Sequence, residues 1–303
     1  MSEKNHHLFS RNYQQLSVKY DPSHEVLWSL MHQKNRVPCF NADLIKEITQ
    51  FQNELEATCG VLDLNNEIHQ IKYVVAASLT PNVFNLGGHL ALMHKLIVSK
   101  NKEGLREYAT RGINGLAHRI SRFNVPSIIT ISLLQGQTLG AGLEAALTSD
   151  IIIAERKSVL GFPEMIFNMI PGMGGYRLAA RRIGNKLASE MINTGTLYCA
   201  EEAHEMGLID VLVDNNEGVN AVNDWIESNR FSTGFLALQK VKDHYNPIAF
   251  SDLQFETENW LDLAFELDDH QLSMIERFAR VQANQYVSIA TEQSNVVSFK
   301  QSA

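Results

Sequence analysis

The amino-acid sequence predicts an α/β fold with a helical C-terminal region. Apolar strand-like segments at Ile71–Ala77 and Ser127–Leu134 alternate with segments whose apolar residues recur every three or four positions. This alternation is typical of a buried parallel sheet with right-handed crossover helices. After about Ser228 the strand pattern stops and only helical spacing remains. With 303 residues, the chain can bury a large core without disulfides or a structural metal.

The same periodicities predict the individual elements. The predicted strands are Glu25–Met31, Ile71–Ala77, Ser127–Leu134, Ile151–Ala154 and Val159–Phe162. The predicted helices are an amphipathic one after Asn41, a helical region from about Leu90 to Phe123, a short helix from Gly142, and three C-terminal helices around Phe235–His244, Leu253–Phe265 and Gln271–Val287.

These patterns divide the chain into three regions. Residues 1–20 show no period and are predicted to form a loose N-terminal arm. Residues 21–228 form the predicted α/β core, and residues 229–303 form the C-terminal helical region. Because that region has large apolar residues but no sheet of its own, we expect it to contribute to oligomerisation. An intramolecular helical lid is the alternative.

Composition excludes several classes of protein. The formal net charge is −8, so binding of nucleic acid is not expected, and no stretch is long and apolar enough to span a membrane. Cys39, Cys59 and Cys199 are odd in number and widely spaced, which favours reduced thiols in a cytoplasmic protein. The eleven histidines show no metal-ligand spacing, so no metal is predicted.

Two glycine-containing turns are the strongest candidates for a site. Phe84–His89 follows one predicted strand, Gln135–Glu144 follows another, and each opens a helix. Such turns present backbone N–H groups without intrahelical partners, so two of them side by side can form an oxyanion hole. Neither turn has the spacing of a nucleotide-binding motif.

Two glutamates accompany these turns in apolar sequence. Glu144 lies about one turn into the helix opened by the second turn, and Glu164 follows Gly161–Pro163. Partial burial would raise the pKa of either carboxyl group toward neutral pH, which favours proton transfer at carbon. On residue type alone, two solvated glutamates are the alternative.

The segments just described give the chain a clear family resemblance. It resembles the crotonase (enoyl-CoA hydratase/isomerase) superfamily in order and spacing over about residues 71–213. The segments that carry the resemblance are Phe84–His89, Gly136–Ile151, Gly161–Glu164, Ile170–Gly175 and Tyr198–Val213.

The resemblance implies a spiral of ββα units, a C-terminal helical region used in trimer formation, and an acyl-thioester substrate. By position it also implies functions for individual residues. The oxyanion donors are the backbone N–H groups of Gly88 and Ala141, and the catalytic carboxylates are those of Glu144 and Glu164. Gly87 and Gly172 are the implied substrate-binding positions, and no cofactor is implied. His89, where many members carry Asp, is interpreted as a surface or helix-start residue, with a third acid–base group as the alternative.

Within the superfamily, the chain resembles the bacterial diffusible-signal-factor synthases, through its FNLGG turn and its glycine-free C-terminal end. This branch implies dehydration of a medium-chain 3-hydroxyacyl thioester on acyl carrier protein, then thioester hydrolysis, to give a cis-2-unsaturated fatty acid for quorum sensing. The implied enzyme is a cytoplasmic trimer or hexamer with lyase and thioesterase activity. One alternative is an enoyl-CoA hydratase or isomerase acting on coenzyme A thioesters. The other is a non-catalytic crotonase-fold protein that binds a sensor kinase.

Two further groups of residues have open interpretations. The basic side chains of Arg177, Arg181, Arg182 and Lys186 are interpreted as a solvated helix face, with contact to a carrier protein or a coenzyme phosphate as the alternative. The apolar run of Met165, Ile166, Phe167, Met169 and Ile170 is a candidate acyl tunnel or ordinary core.

Overall fold

The computed structural model describes residues 13–32, 37–64, 67–230 and 232–291, with side chains up to residue 284. The strands are β1 (Leu16–Asp21), β2 (Val26–Met31), β3 (Val61–Leu64), β4 (Glu67–Gln70), β5 (Tyr73–Ser78), β6 (Asn82–Asn85), β7 (Ile129–Leu134), β8 (Gly136–Leu139), β9 (Ile151–Glu155), β10 (Val159–Gly161), β11 (Leu197–Cys199) and β12 (Val211–Val213). The helices are α1 (Ala42–Ala57), α2 (Leu90–Val98), α3 (Lys102–Ile120), α4 (Ala141–Leu147), α5 (Gly175–Thr194), α6 (Ala200–Met206), α7 (Gly218–Asn229), α8 (Thr233–Tyr245), α9 (Phe250–Ala264) and α10 (Asp269–Thr291).

A six-stranded sheet in the order β1-β2-β5-β7-β9-β12 forms the centre of the molecule. Within this sheet only the β1–β2 pair is antiparallel. On one face Val74 packs with Leu44 of α1 and Ile113 of α3, and on the other Val75 packs with Val222 of α7. Because both faces are covered, β5 and β7 are mainly apolar, as expected for buried parallel strands. The predicted α/β class is confirmed.

A second sheet has the order β11-β10-β8-β6, in which β6, β8 and β10 are parallel. Since β6 and β8 are parallel neighbours, their carboxyl ends lie at the same edge of this sheet. Gly136, at the start of β8, lies so close to the backbone of Asn82 that there is no room for a Cβ atom. This close approach places the two glycine-containing turns beside each other.

A buried ion pair joins the end of α3 to the central sheet. Arg122 donates to both carboxylate oxygens of Asp150, at 2.5 and 3.1 Å, and also to Asp243 of α8 at 2.6 Å. Asp150 Oδ2 accepts from the backbone N–H of Thr130 on β7 at 2.8 Å. Because hydrogen bonds satisfy both charges, this pair fixes α3 and α8 relative to β7.

The C-terminal helices α9 and α10 lie on the body of their own chain. α9 packs against α3 and α10 packs against α2. Their shared core contains Met93, Ile97, Trp260 and Ile275. The intramolecular lid considered above is therefore realised for these two helices. Apolar side chains on α8 and α9 remain exposed, among them Tyr245 at 87%, and the use of this region in oligomerisation stays a prediction.

Most predicted elements are present, with three differences. Residues 16–20 are not a loose arm, because they belong to β1 and pair with β2; residues 1–12 lie outside the described part. The helical region from Leu90 to Phe123 is two helices, since Asn101 caps α3 by accepting from Gly104 N at 2.9 Å. Part of the predicted turn after Leu134 is β8, a strand too short to show a clear alternation.

The described part of the chain contains no helix that is long and apolar enough to cross a membrane. After Val213 that part contains helices but no strand, in agreement with the predicted change of pattern. Cys39, Cys59 and Cys199 are all free thiols.

The close approach of β6 and β8 leads to a testable prediction. Gly136→Ala should lower the free energy of unfolding by about 1–3 kcal/mol or more, because the new methyl group forces β8 away from Asn82. Gly234→Ala is the matched control, since a Cβ atom there meets nothing within 4 Å and replacing glycine in a helix is neutral or stabilising. Urea unfolding measures both, and equal stability of the two variants would contradict the packing described.

Candidate active site

The two glycine-containing turns meet where β6 and β8 end. Gly87 has a φ of +88°, and a Cβ atom there would lie 2.8 Å from Leu139 O and 3.3 Å from Ala141 N. Glycine is therefore required at position 87 both by the backbone conformation and by the neighbouring turn. The structure thus brings Gly87, Gly88 and Ala141 together, as the sequence predicts.

Hydrogen bonds from distant segments hold the beginning of the first turn. Leu86 N donates to Pro38 O at 2.8 Å, and Gly87 N donates to Asn85 Oδ1 at 2.8 Å. Gly87 O accepts from Phe40 N at 2.8 Å. The segment before α1 and a buried asparagine therefore fix the turn from the N-terminal side.

The side chain of Gln282 on α10 also binds this turn. Its Nε2 donates to Leu86 O at 3.2 Å and to Gly88 O at 2.9 Å. Its Oε1 accepts from Leu90 N at 3.3 Å. One buried amide thus satisfies two carbonyl groups of the turn and the first N–H group of α2.

The Gly88 N–H is the backbone donor that this network leaves free. The next N–H, of His89, donates to Tyr108 Oη at 2.9 Å, while Gly88 N has no hydrogen-bond partner among the described residues. Ala141 N is the first N–H of α4, ahead of the intrahelical hydrogen bonds. Gly88 and Ala141 are half-buried, so these two donors are accessible to a ligand oxygen.

Both predicted glutamates lie beside these donors. Glu144, on α4, is 1% exposed, and its Oε1 accepts from Met173 N at 2.7 Å. Glu164 is the second residue of the 3-10 helix Pro163–Phe167, and its Oε1 lies so close to Gly140 that a Cβ atom on Gly140 would clash with it. The Oε2 atom of Glu164 is buried and has no hydrogen-bond partner among the residues that the structure describes. The two carboxyl groups therefore flank the turn that carries the Ala141 N–H.

The surroundings of the glutamates favour their protonated forms. Burial and then the charge of Glu164 raise the pKa of Glu144 well above its ordinary value, and the hydrogen bond from Met173 N only partly opposes them. Burial raises the pKa of Glu164 to about 7. Because burial disfavours the ionised form of each group, the pair holds at least one proton at neutral pH.

The turns and the glutamates open onto a cavity of about 390 Å³. Side chains from several elements form its wall, which is mainly apolar. They include Met31, Phe40, Ile45, Ile48, Phe51, Phe84, Met93, Leu116, Trp260 and Phe278. The size and lining fit a flexible apolar chain whose reactive end lies at the glutamates.

The far end of the cavity is polar. Ser29 of β2 pairs in register with Ala76 of β5, which pairs with Ser132 of β7, so a row of small side chains leaves space under α1 and α3. Ser29, Ala76 and Arg119 line this end. Arg119 donates to Ile131 O at 2.7 Å, and burial lowers its pKa to about 10, so it remains charged at neutral pH.

Gly172, the remaining predicted site residue, also lines the cavity. A Cβ atom at Gly172 would lie 2.6 Å from Cγ of Trp260, and Gly172 O accepts from Thr257 Oγ1 at 2.8 Å. Helix α9 therefore supports the turn that supplies Met173 N to Glu144.

The other interpretations have mixed outcomes. Ile166 and Phe167 line the cavity, whereas Met169 belongs to the core beneath α9. His89 is the N-cap of α2, with Nδ1 accepting from Leu92 N at 3.1 Å, so its interpretation as a helix-start residue is confirmed.

The arginines on α5 are not a freely solvated face. Arg177 pairs with Asp252, Arg181 with Asp243 and Arg182 with Asp210, all within the chain. Lys186, the fourth residue of the group, is exposed, as the interpretation of a solvated face expects. The described part of the chain also contains no group of three or more acidic, histidine or cysteine side chains suited to a metal ion.

Three residues of the site are not predicted from the sequence. Tyr108, Trp260 and Gln282 lie on helices whose apolar spacing predicts a buried face but not its partner. Their positions depend on how α3, α9 and α10 pack, and no local motif marks them.

The sequence of the chain is similar to those of known proteins. Residues 31–258 match the family "Enoyl-CoA hydratase/isomerase". "Probable enoyl-CoA hydratase 2, mitochondrial" of Arabidopsis thaliana is 34% identical over 153 residues, which cover 50% of this chain and 48% of that protein. Human "Enoyl-CoA hydratase domain-containing protein 2, mitochondrial" is 32% identical over 171 residues, covering 55% and 53%. The matched stretch spans about half the length of these relatives.

Solved structures share the fold. A putative enoyl-CoA hydratase from Streptomyces avermitilis has a TM-score of 0.67 at 20% identity, covering 92% of this chain and 99% of that chain. Pseudomonas aeruginosa DspI has a TM-score of 0.60 at 21% identity, covering 82% and 95%. The family match includes both turns and both glutamates. The chain therefore belongs to the enoyl-CoA hydratase/isomerase family, within the crotonase superfamily.

Proposed function

We propose that this protein dehydrates a medium-chain 3-hydroxyacyl thioester to the cis-2-enoyl thioester and then hydrolyses it to a cis-2-unsaturated fatty acid. The observation that carries the proposal is the pair of buried glutamates with raised pKa values beside the free Gly88 N–H. The resemblance to the signal-synthase branch supports the cis product and the hydrolytic step. Acyl carrier protein is the proposed carrier.

In the first step, the Gly88 and Ala141 N–H groups donate to the thioester oxygen as it gains enolate character. The ionised carboxylate, assigned to Glu164 because its pKa is about 7, takes the proton from C2. The C3–O bond breaks, and the leaving hydroxyl takes the proton of Glu144, whose pKa is raised further. The products are the enoyl thioester and water, and the proton has moved from one glutamate to the other.

In the second step, the carboxylate left on Glu144 takes a proton from a water molecule as that water attacks the thioester carbon. The same two N–H groups stabilise the tetrahedral oxyanion. The C–S bond then breaks, and the departing thiolate takes a proton from a glutamate. One oxyanion hole and two acids are sufficient for both steps.

The polar end of the cavity supports a limited acyl length. Gly112 of α3 lies beside Met173, with 2.5 Å between a Cβ atom at that glycine and the methionine Sδ, and the backbone N–H of the same methionine donates to Glu144. Arg119 lies seven residues further along α3, or about 10 Å. A longer alkyl chain would have to bury its end against this guanidinium group, which is unfavourable.

A coenzyme A hydratase is the second candidate, because the curated relatives carry hydratase names. It would use the same glutamates, so the carrier and the geometry of the double bond separate the two. A binding role toward a sensor kinase remains the non-catalytic alternative.

The product identifies the reaction. Purified protein is incubated with 3-hydroxyacyl thioesters of eight to sixteen carbons on acyl carrier protein and on coenzyme A, and products are identified by mass spectrometry and NMR. We expect a free cis-2-enoic acid from carrier-bound chains of intermediate length. A trans-2-enoyl thioester, or turnover with coenzyme A esters alone, would favour the hydratase. Absence of turnover with either carrier would contradict both enzyme proposals.

The glutamates are tested by isosteric substitution. Glu144→Gln and Glu164→Gln should each lower kcat by roughly 10²- to 10⁴-fold, because each removes one proton-transfer group. The amide oxygen introduced by Glu144→Gln can still accept from Met173 N, so the fold should be retained. Glu205→Gln, on an exposed position of α6, is the matched control. Near-normal turnover by either active-site variant would contradict this mechanism.

A further inference from the structure

A side chain from the C-terminal helix completes the hydrogen bonding of the oxyanion turn. Gln282 is 6% exposed, and its amide binds Leu86 O, Gly88 O and Leu90 N. Both N–H bonds of Nε2 and one acceptor position of Oε1 are therefore used. The three backbone groups belong to a stretch of five residues that contains two consecutive glycines, Gly87 and Gly88.

These contacts lie on both sides of the peptide group that carries the free donor. The Gly88 N–H belongs to the Gly87–Gly88 peptide, and Gln282 holds the carbonyl groups of the preceding and following peptides. Two glycines in sequence have wide backbone freedom. The carbonyl of the central peptide, Gly87 O, accepts from Phe40 N at 2.8 Å, and Gln282 holds the peptides on both sides, so the central peptide keeps the orientation that leaves its N–H unpaired.

We propose that Gln282 is a positioning residue that fixes the Gly88 N–H for the thioester oxygen. It acts through the backbone and does not touch the reacting atoms. Because Gln282 lies on α10, the site is complete only when this helix is docked on α2. Phe278 and Val281 of the same helix line the cavity, so one docking event closes the acyl site and orders the donor. This inference rests on the proposed thioester chemistry.

The test compares substitutions at position 282. Gln282→Ala should lower kcat by roughly 10- to 100-fold, since small displacements of a preorganised donor are costly in the transition state. KM should change by no more than about threefold, because the apolar wall that binds the acyl chain is retained. Steady-state kinetics with the substrate that the wild type turns over best measures both constants.

Two more variants separate positioning from packing. Gln282→Met keeps the side-chain volume but forms none of the hydrogen bonds, and Gln282→Glu keeps the acceptor for Leu90 N but cannot donate to the two carbonyls. Both should show the same loss of kcat as Gln282→Ala, with melting temperatures that identify any unfolded variant. Arg280→Ala is the matched control, because Arg280 is exposed and pairs only with Glu276 among the described residues.

The outcomes of this test are distinguishable from the outcomes that test the proposed function. If the wild type turns over no thioester, the proposed function is wrong, and the positioning role of Gln282 is wrong with it. If the wild type is active and folded Gln282→Met or Gln282→Glu retains kcat within about twofold, the positioning role is overturned. A loss confined to KM would also overturn it, since that result indicates only a lining role for α10.

Discussion

Burial of two carboxylic acids in one apolar cavity is the constraint on which the rest of the active site depends. A buried carboxylate is costly, and a second one nearby raises the cost of ionising both. The hydrogen bond from Met173 N compensates only in part for the burial of Glu144 and for the nearby charge of Glu164. The pair therefore retains a proton near neutral pH. One acid and one base in the same cavity are what addition or removal of water at adjacent carbons requires.

Glycines beside the two glutamates leave space for their carboxyl groups. Gly140, with a φ of +50°, lies against Glu164, and a Cβ atom on Gly175 would lie 3.1 Å from Oε1 of Glu144. Glycine at these positions permits the carboxyl groups to approach the turn that bears Ala141 N. The first turn is held differently, by hydrogen bonds from the segment before α1, from α3 and from α10. Elements far apart in sequence thus cooperate to leave one donor unpaired.

The local parts of this site can be predicted from the sequence, because glycine turns after strands and acids in apolar sequence have local signatures. Gly88, Ala141, Glu144 and Glu164 are predicted in this way, and the family resemblance supplies the roles proposed for them. Gln282 cannot be identified, since its partners lie about 190 residues earlier and depend on the docking of α10. For the same reason the sequence makes the arginines of α5 look solvated, although acids from other elements pair with them. The strand β1 is not predicted, because its alternation of apolar and polar residues is weak and because it is stabilised by pairing with β2, which the sequence does not show.

The proposed mechanism requires that the two glutamates share a proton in the pH range in which the enzyme works. The pH dependence of kcat/KM for the wild type, measured with the thioester it turns over best, tests this directly. At low pH both acids are protonated and no base is present, so activity should rise with pH through about 7, the pKa of Glu164, and fall at higher pH as Glu144 loses its proton. An acidic limb near the ordinary glutamate pKa of about 4.3 would contradict the account, because it would mean that the base is an exposed carboxylate.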